Sequence, residues 1–130
     1  MHTFKKEERL CSKKLLDKLF HNGSSFLIYP FRIVSLSETL TVNFPAQVVI
    51  AVSKRKFKRA VDRNLIKRRV REAYRLNKTA CLYSFLAEKE LNLIISIHYV
   101  GKDIAEYQFI EKKLKKALEK LTESYANQPA

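Results

Sequence analysis

The sequence predicts an α+β fold, a single domain with the element order α-β-β-β-α-β-α. Three observations carry that expectation. Apolar residues recur at helical spacing near both ends of the chain. Between them lie short runs rich in β-branched and aromatic residues. The 130 residues are 46% hydrophobic, enough to close one core, and too few for a chain that divides into domains. With two Gly and three Pro in all, neither a series of tight turns nor a flexible linker fits.

The first helix is expected over residues 12–23. Ser12 can cap the free N–H groups of its first turn, Asn22-Gly23 stops it, and Leu15, Leu16, Leu19 and Phe20 share one face. Residues 29–36 (YPFRIVSL) read as the first strand, and 37–40 as a polar turn. Residues 41–44 and 47–53 read as two further strands, separated by Pro45, which cannot donate to a ladder. After a long basic stretch, residues 91–100 (LNLIISIHYV) have the unbroken apolar character of a strand covered on both faces. The last helix is expected over residues 104–121. Tyr107, Ile110, Leu114, Ala117, Leu118 and Leu121 form its apolar stripe, and Glu111 and Lys115 are spaced to pair across one turn of its polar side. The residues after 122 read as a frayed tail, leaving an ordered core of about 4–122 within one domain of 1–130.

Twenty-six Lys and Arg against 13 Asp and Glu leave a net charge of +13. Self-repulsion at that charge disfavours a compact state, so a polyanion is expected as partner: nucleic acid, an anionic membrane face or an acidic protein. The N-terminal MHTFKKEERL lacks the apolar segment of a secretory signal. No apolar run approaches the roughly 20 residues of a membrane-spanning helix. A cytoplasmic location is therefore expected. Cys11 and Cys81 stand too far apart for a disulfide framework or a zinc site of ordinary spacing.

Residues 54–75, KRKFKRAVDRNLIKRRVREAYR, hold eleven Lys and Arg against two acids, and so supply +9 of the +13. On a helix, Arg63, Asn64, Lys67, Arg68, Arg71 and Arg75 fall within one arc of about 140°. Val61, Leu65, Ile66, Val70, Ala73 and Leu76 fall mostly on the other half. A solvated surface helix mixes its signs, because like charges one turn apart repel by a few tenths of a kcal/mol. Contact with phosphates explains a face this cationic, since each contact also releases a counterion. A membrane-surface helix would carry bulkier Leu, Phe or Trp on its apolar side. Asp62 and Arg69 lie near the middle of the apolar half, where periodicity gives them no role.

These residues resemble the bacterial ribonuclease P protein component. The likeness lies in Val52-Ser53-Lys54, Ala60-Val61, Arg63-Asn64-Leu65-Ile66-Lys67-Arg68 and Val70-Arg71-Glu72-Ala73-Tyr74-Arg75. They match a strand ending V-S-K, a helix with A-V-x-R-N-R-x-K-R, and a following R-E/Q-A-F/Y. Arg9-Leu10, Leu16, Phe20 and Gly23 match the family's N-terminal pattern, so the likeness spans about residues 4–122. Two positions depart from it: the second arginine of R-N-R is Leu65, and Leu16 stands where the family often has an aromatic.

The resemblance implies a mixed sheet with a left-handed β-α-β crossover, against the usual right-handed rule. It implies an endoribonuclease of tRNA 5′ maturation whose catalyst is an RNA, with Mg²⁺ bound mainly by that RNA and the substrate. The implied partners are ribonuclease P RNA and precursor tRNA. RNA binding would fall to Lys54, Lys56, Lys58, Arg59, Arg63, Asn64, Lys67, Arg68, Arg71 and Arg75. The 5′ leader would lie in a cleft between the first helix and the sheet, at Leu16, Phe20, Arg32 and Val34. Arg32 and Val34 share a face of their strand, and Phe20 offers a ring on which single-stranded bases stack; plain core packing is the competing role for these side chains.

No catalytic or metal-binding constellation is expected in the chain itself. His2, His21 and His98 are scattered, with His98 expected in the core. Asp17, Asp62 and Asp103 form no acid/base pair, and two glycines cannot build a phosphate loop. A DNA reader needs side chains for base edges, whereas a helix with five cations and a lone Asn64 suits phosphates; no DNA partner is expected. A structural RNA-binding protein of ribosomal type shares the charge but predicts no single-strand cleft.

Overall fold

The computed structural model describes residues 3–126. Helix α1 (Lys13–Asn22) begins where Ser12 Oγ accepts from the Leu15 amide at 3.3 Å, and it ends at Gly23. A Cβ on Gly23 would stand 2.5 Å from the Leu19 carbonyl oxygen and 2.9 Å from Val34 Cγ1. Only glycine lets the end of α1 lie so close to the sheet. Strands β1 (Ser24–Ile28) and β2 (Phe31–Ser37) form a hairpin around a cis Tyr29-Pro30 peptide, and β3 (Ala46–Val52) follows a loop. Helix α2 (Ala60–Lys78) continues through a wider turn at Thr79–Tyr83 into α3 (Ser84–Lys89), and Glu90, at φ 54°, ends the helical path. Strand β4 (Leu93–Tyr99) and helix α4 (Tyr107–Ala126) complete the chain.

The sheet has the order β1-β2-β4-β3. β2 is antiparallel to both β1 and β4, whereas β3 runs parallel to β4, so the sheet is mixed and the helical path of α2 and α3 is the crossover between its parallel strands. The two-residue strand period divides the core. Phe31, Ile33, Val48, Ile95 and Ile97 meet Ile66 and Val70 of α2 and Leu114 and Leu118 of α4. On the other face Val34, Leu36, Val49 and Ile94 meet Leu15, Leu16 and Leu19 of α1. Every β4 residue except His98 is buried.

The expected order of elements holds, but one early strand lies elsewhere. β1 occupies residues that follow the α1 stop directly, and the expected strand over 29–36 ladders only from Phe31. Residues 41–44 form bends instead of a strand. Thr41, Val42 and Phe44 have β propensity, but the outer edge of β3 is met by the N-terminal segment, where the Leu10 amide donates to the Val48 carbonyl at 3.0 Å. Propensity without a ladder partner does not make a strand. At the other end, α4 starts three residues later than expected and outruns the expected tail: the Tyr125 and Ser35 hydroxyls lie 3.1 Å apart. Residues 127–130 of that tail, with His2 at the other terminus, lie outside the described residues. Glu111 accepts from Asn77 at 3.0 Å and Tyr107 at 3.2 Å in place of the expected Lys115.

One contact absent from the sequence reading ties the N-terminus to the helical layer. Glu8 and Lys78 form an ion pair, with side chains 0% and 3% exposed. Glu8 also accepts from the Tyr83 hydroxyl at 2.6 Å and from the Lys5 amide at 2.7 Å. The Lys78 ammonium donates in addition to the Thr3 carbonyl.

Candidate nucleic-acid interface

Burial of Ile66, Val70, Ala73 and Tyr74 fixes which way α2 faces. Asn64, Arg68 and Arg71 are consequently exposed, and Lys67 is half-buried. With Val61 and Leu65 they line a shallow concavity of about 420 Å³. Among the described residues, none of these three cations is ion-paired, and Asn64 has no side-chain partner. A row of uncompensated cations at one-turn spacing is a surface that phosphates neutralise.

Other members of the expected set have internal work. Arg63, at the inward end of the cationic arc, is half-buried, and its Nη1 donates to the carbonyls of Phe57 at 2.8 Å and Lys58 at 2.9 Å. It holds the loop that enters α2. Arg75 pairs with Glu72 one turn away. Lys54, Lys58 and Arg59 are exposed on the entry loop; Arg59 lies 3.8 Å from Asp62, which gives that acid its role. Lys56 Nζ donates to the Val100 carbonyl at 2.5 Å. Buried Phe57, 6.1 Å from the Tyr99 ring, anchors the loop between these lysines. Arg69 turns away from the cationic row and donates to the Ala105 carbonyl at 2.6 Å, joining α2 to the segment before α4. The apolar half of the wheel is narrower than expected: Val61 and Leu76 are exposed and Leu65 is half-buried.

The expected cleft residues lie on the α1 side of the sheet. Leu16 and Val34 are half-buried in the same cluster. Phe20 is 60% exposed, which excludes a core role for its ring. Arg32 is exposed and faces Leu27 across β1 and His98 across β4. Leu27, on the unexpected β1, and Tyr29, in the turn after it, are both more than half exposed and are not among the residues expected at the cleft. His98 is half-buried and not the packed core residue expected. Burial, then the charges of Arg32 and Lys56, hold its pKa below the ordinary histidine value, so the ring is neutral at pH 7. Arg32 and exposed Leu27 thus stand opposite each other in the β1–β2 ladder, and Phe20 is exposed on α1; charge beside apolar surface is a combination suited to single-stranded nucleic acid. No described helix is long and apolar enough to cross a membrane.

The mixed sheet and the uncompensated row on α2 define an α+β protein with a cationic face suited to a polyanion. The family model described as ribonuclease P matches residues 4–122, and the chain belongs to that family. It is 35% identical over 114 residues to the ribonuclease P protein component of Porphyromonas gingivalis, covering 87% of this chain and 82% of that one. It is 37% identical over 123 residues to that of Petrotoga mobilis, covering 92% and 95%. Among solved structures, the Staphylococcus aureus RNase P protein superposes with a TM-score of 0.70 at 20% identity, over 88% of this chain and 94% of that one. The Thermotoga maritima protein gives 0.68 at 21%, over 87% and 96%. These two structures share the fold.

Proposed function

We propose that the chain serves as the protein subunit of a ribonuclease P in the cytoplasm, binding the catalytic RNA through α2 and its entry loop. The 5′ leader of precursor tRNA then lies along α1 and β2, and the RNA performs the cleavage. The observation that carries this reading is the row Lys67, Arg68 and Arg71, left unpaired beside Asn64 on a helix otherwise anchored in the core. A structural RNA-binding role of ribosomal type accounts for that row but leaves the exposed Phe20 and the family match without purpose.

The Mg²⁺ that such a hydrolysis uses would be held by the RNA and the substrate. Among the described residues no group of three or more His, Cys, Asp and Glu side chains could hold a metal ion, and the carboxylates on α2 already face Arg59 and Arg75. The protein's part is to bind, neutralise and position phosphates.

Salt-dependent binding to a transcribed bacterial ribonuclease P RNA tests this reading. Ala in place of Lys67, Arg68 or Arg71 should weaken binding and reduce the slope of log affinity against log salt by about 0.7–0.9 per lost contact, with unchanged far-UV circular dichroism. Arg63→Ala should differ by lowering the melting temperature as well, because two loop carbonyls lose their donor. Slopes unchanged in all three outward-facing variants would remove α2 as the RNA-binding face.

A further inference from the structure

The concavity on α2 combines features that phosphate binding alone does not need. Val61 is 67% exposed, on the outward side of α2 away from the buried Ile66, Val70 and Ala73. Leu65, one turn on, is half-buried. A single exposed apolar side chain is ordinary. Here exposed Val61 and half-buried Leu65 line one depression together with Asn64, Lys67, Arg68 and Arg71. Its volume, about 420 Å³, falls within the roughly 300–1,000 Å³ typical of small-ligand sites. Phosphate oxygens gain nothing from apolar side chains in such a lining, whereas the face of a nucleobase does.

We infer that this concavity is a nucleotide subsite: Val61 and Leu65 cover the face of one unpaired base of the RNA partner, while Lys67, Arg68 and Arg71 hold the phosphates on either side. The inference rests on the proposed role of α2 as an RNA-binding face and names what that face takes. In an RNA helix the bases are stacked and their faces closed, so only a loop, bulge or end can present one. Asn64, which has no side-chain partner among the described residues, carries both an amide donor and a carbonyl acceptor for the edge of that base. Leu65 occupies the place of the second arginine in the R-N-R pattern that this stretch otherwise follows, so an apolar contact replaces a charged one within the same row.

The test compares two RNAs over a salt series: a transcribed bacterial ribonuclease P RNA, and a blunt, fully paired RNA duplex. Leu65→Ala should weaken binding to the transcript about three- to tenfold at every salt concentration, the scale set by a few methyl groups leaving contact. Its salt slope should stay unchanged, and so should duplex affinity. Leu65→Met should retain most of the affinity, and Val61→Ser should act in the same direction as Leu65→Ala. Arg68→Ala should instead flatten the slope with both RNAs. Equal losses on transcript and duplex, or no loss from either apolar variant while Arg68→Ala still acts, would overturn the subsite and leave the RNA-binding face standing. No effect from Arg68→Ala or Arg71→Ala would mean that the RNA-binding reading of α2 itself fails, and the subsite with it. Should Leu65→Ala lower the melting temperature, Val61→Ser, at a side chain with little buried surface, decides between these outcomes.

Discussion

Replacing Lys78 by Met should cost about 3–5 kcal/mol of stability and lower the melting temperature by on the order of 10–20 °C. Lys78 and Glu8 are both removed from water. Deleting the ammonium strands a carboxylate whose remaining donors, the Tyr83 hydroxyl and the Lys5 amide, cannot neutralise it. The double variant Glu8→Leu/Lys78→Met should recover most of the loss, since apolar replacement of a whole buried pair is close to neutral. The pH dependence follows from the same contacts. Burial pushes the Glu8 carboxyl up, but Lys78, Tyr83 and the Lys5 amide more than offset this and hold it below its ordinary value of 4.5. Its stabilisation is therefore present above pH 4.5 and lost as pH falls through the lower value in the folded chain. In Lys78→Met the carboxyl should titrate above its ordinary value, so the stability gap to the parent should narrow in acid. A single variant that loses less than about 1 kcal/mol at neutral pH would contradict a buried pair.

Phe20→Leu should separate precursor from product. The ring is largely exposed at the end of α1, so the change should barely move the melting temperature. Stacking on one aromatic is worth roughly 1–3 kcal/mol by alanine substitution, about five- to 150-fold in affinity. The reconstituted holoenzyme should lose precursor tRNA affinity within that range and keep its affinity for mature tRNA, which has no 5′ leader to stack. Equal losses for the two ligands would place Phe20 outside the leader path.

What could be read in advance follows from which forces are local. Ser12, Gly23 and the apolar stripe of α4 act through neighbours a few residues away, and α1 and the core of α4 stand where periodicity puts them. The buried strand β4 was legible because no polar residue but Ser96 and His98 interrupts it. Residues 41–44 misled because strand formation depends on a partner, and the N-terminal segment takes that edge of β3. On α2 the charge was visible but its direction was not. A wheel places Arg63 with Arg71, yet packing against the sheet turns the first toward loop carbonyls and leaves the second in solvent. Asp62 and Arg69 acquire roles only from partners at Arg59 and Ala105, the latter 36 residues away. The Glu8–Lys78 pair joins residues separated by 70 positions, and no pattern of spacing announces it.

The central claim, a protein that positions RNA while RNA performs the cleavage, meets its most direct test in precursor tRNA processing at low Mg²⁺. The purified chain, a transcribed bacterial ribonuclease P RNA, and the two together should be assayed side by side. The protein alone should cleave nothing, the RNA alone should be slow at low Mg²⁺, and the mixture should release the 5′ leader efficiently. Robust cleavage by the protein alone after nuclease pretreatment, or a mixture no faster than the RNA, would contradict it.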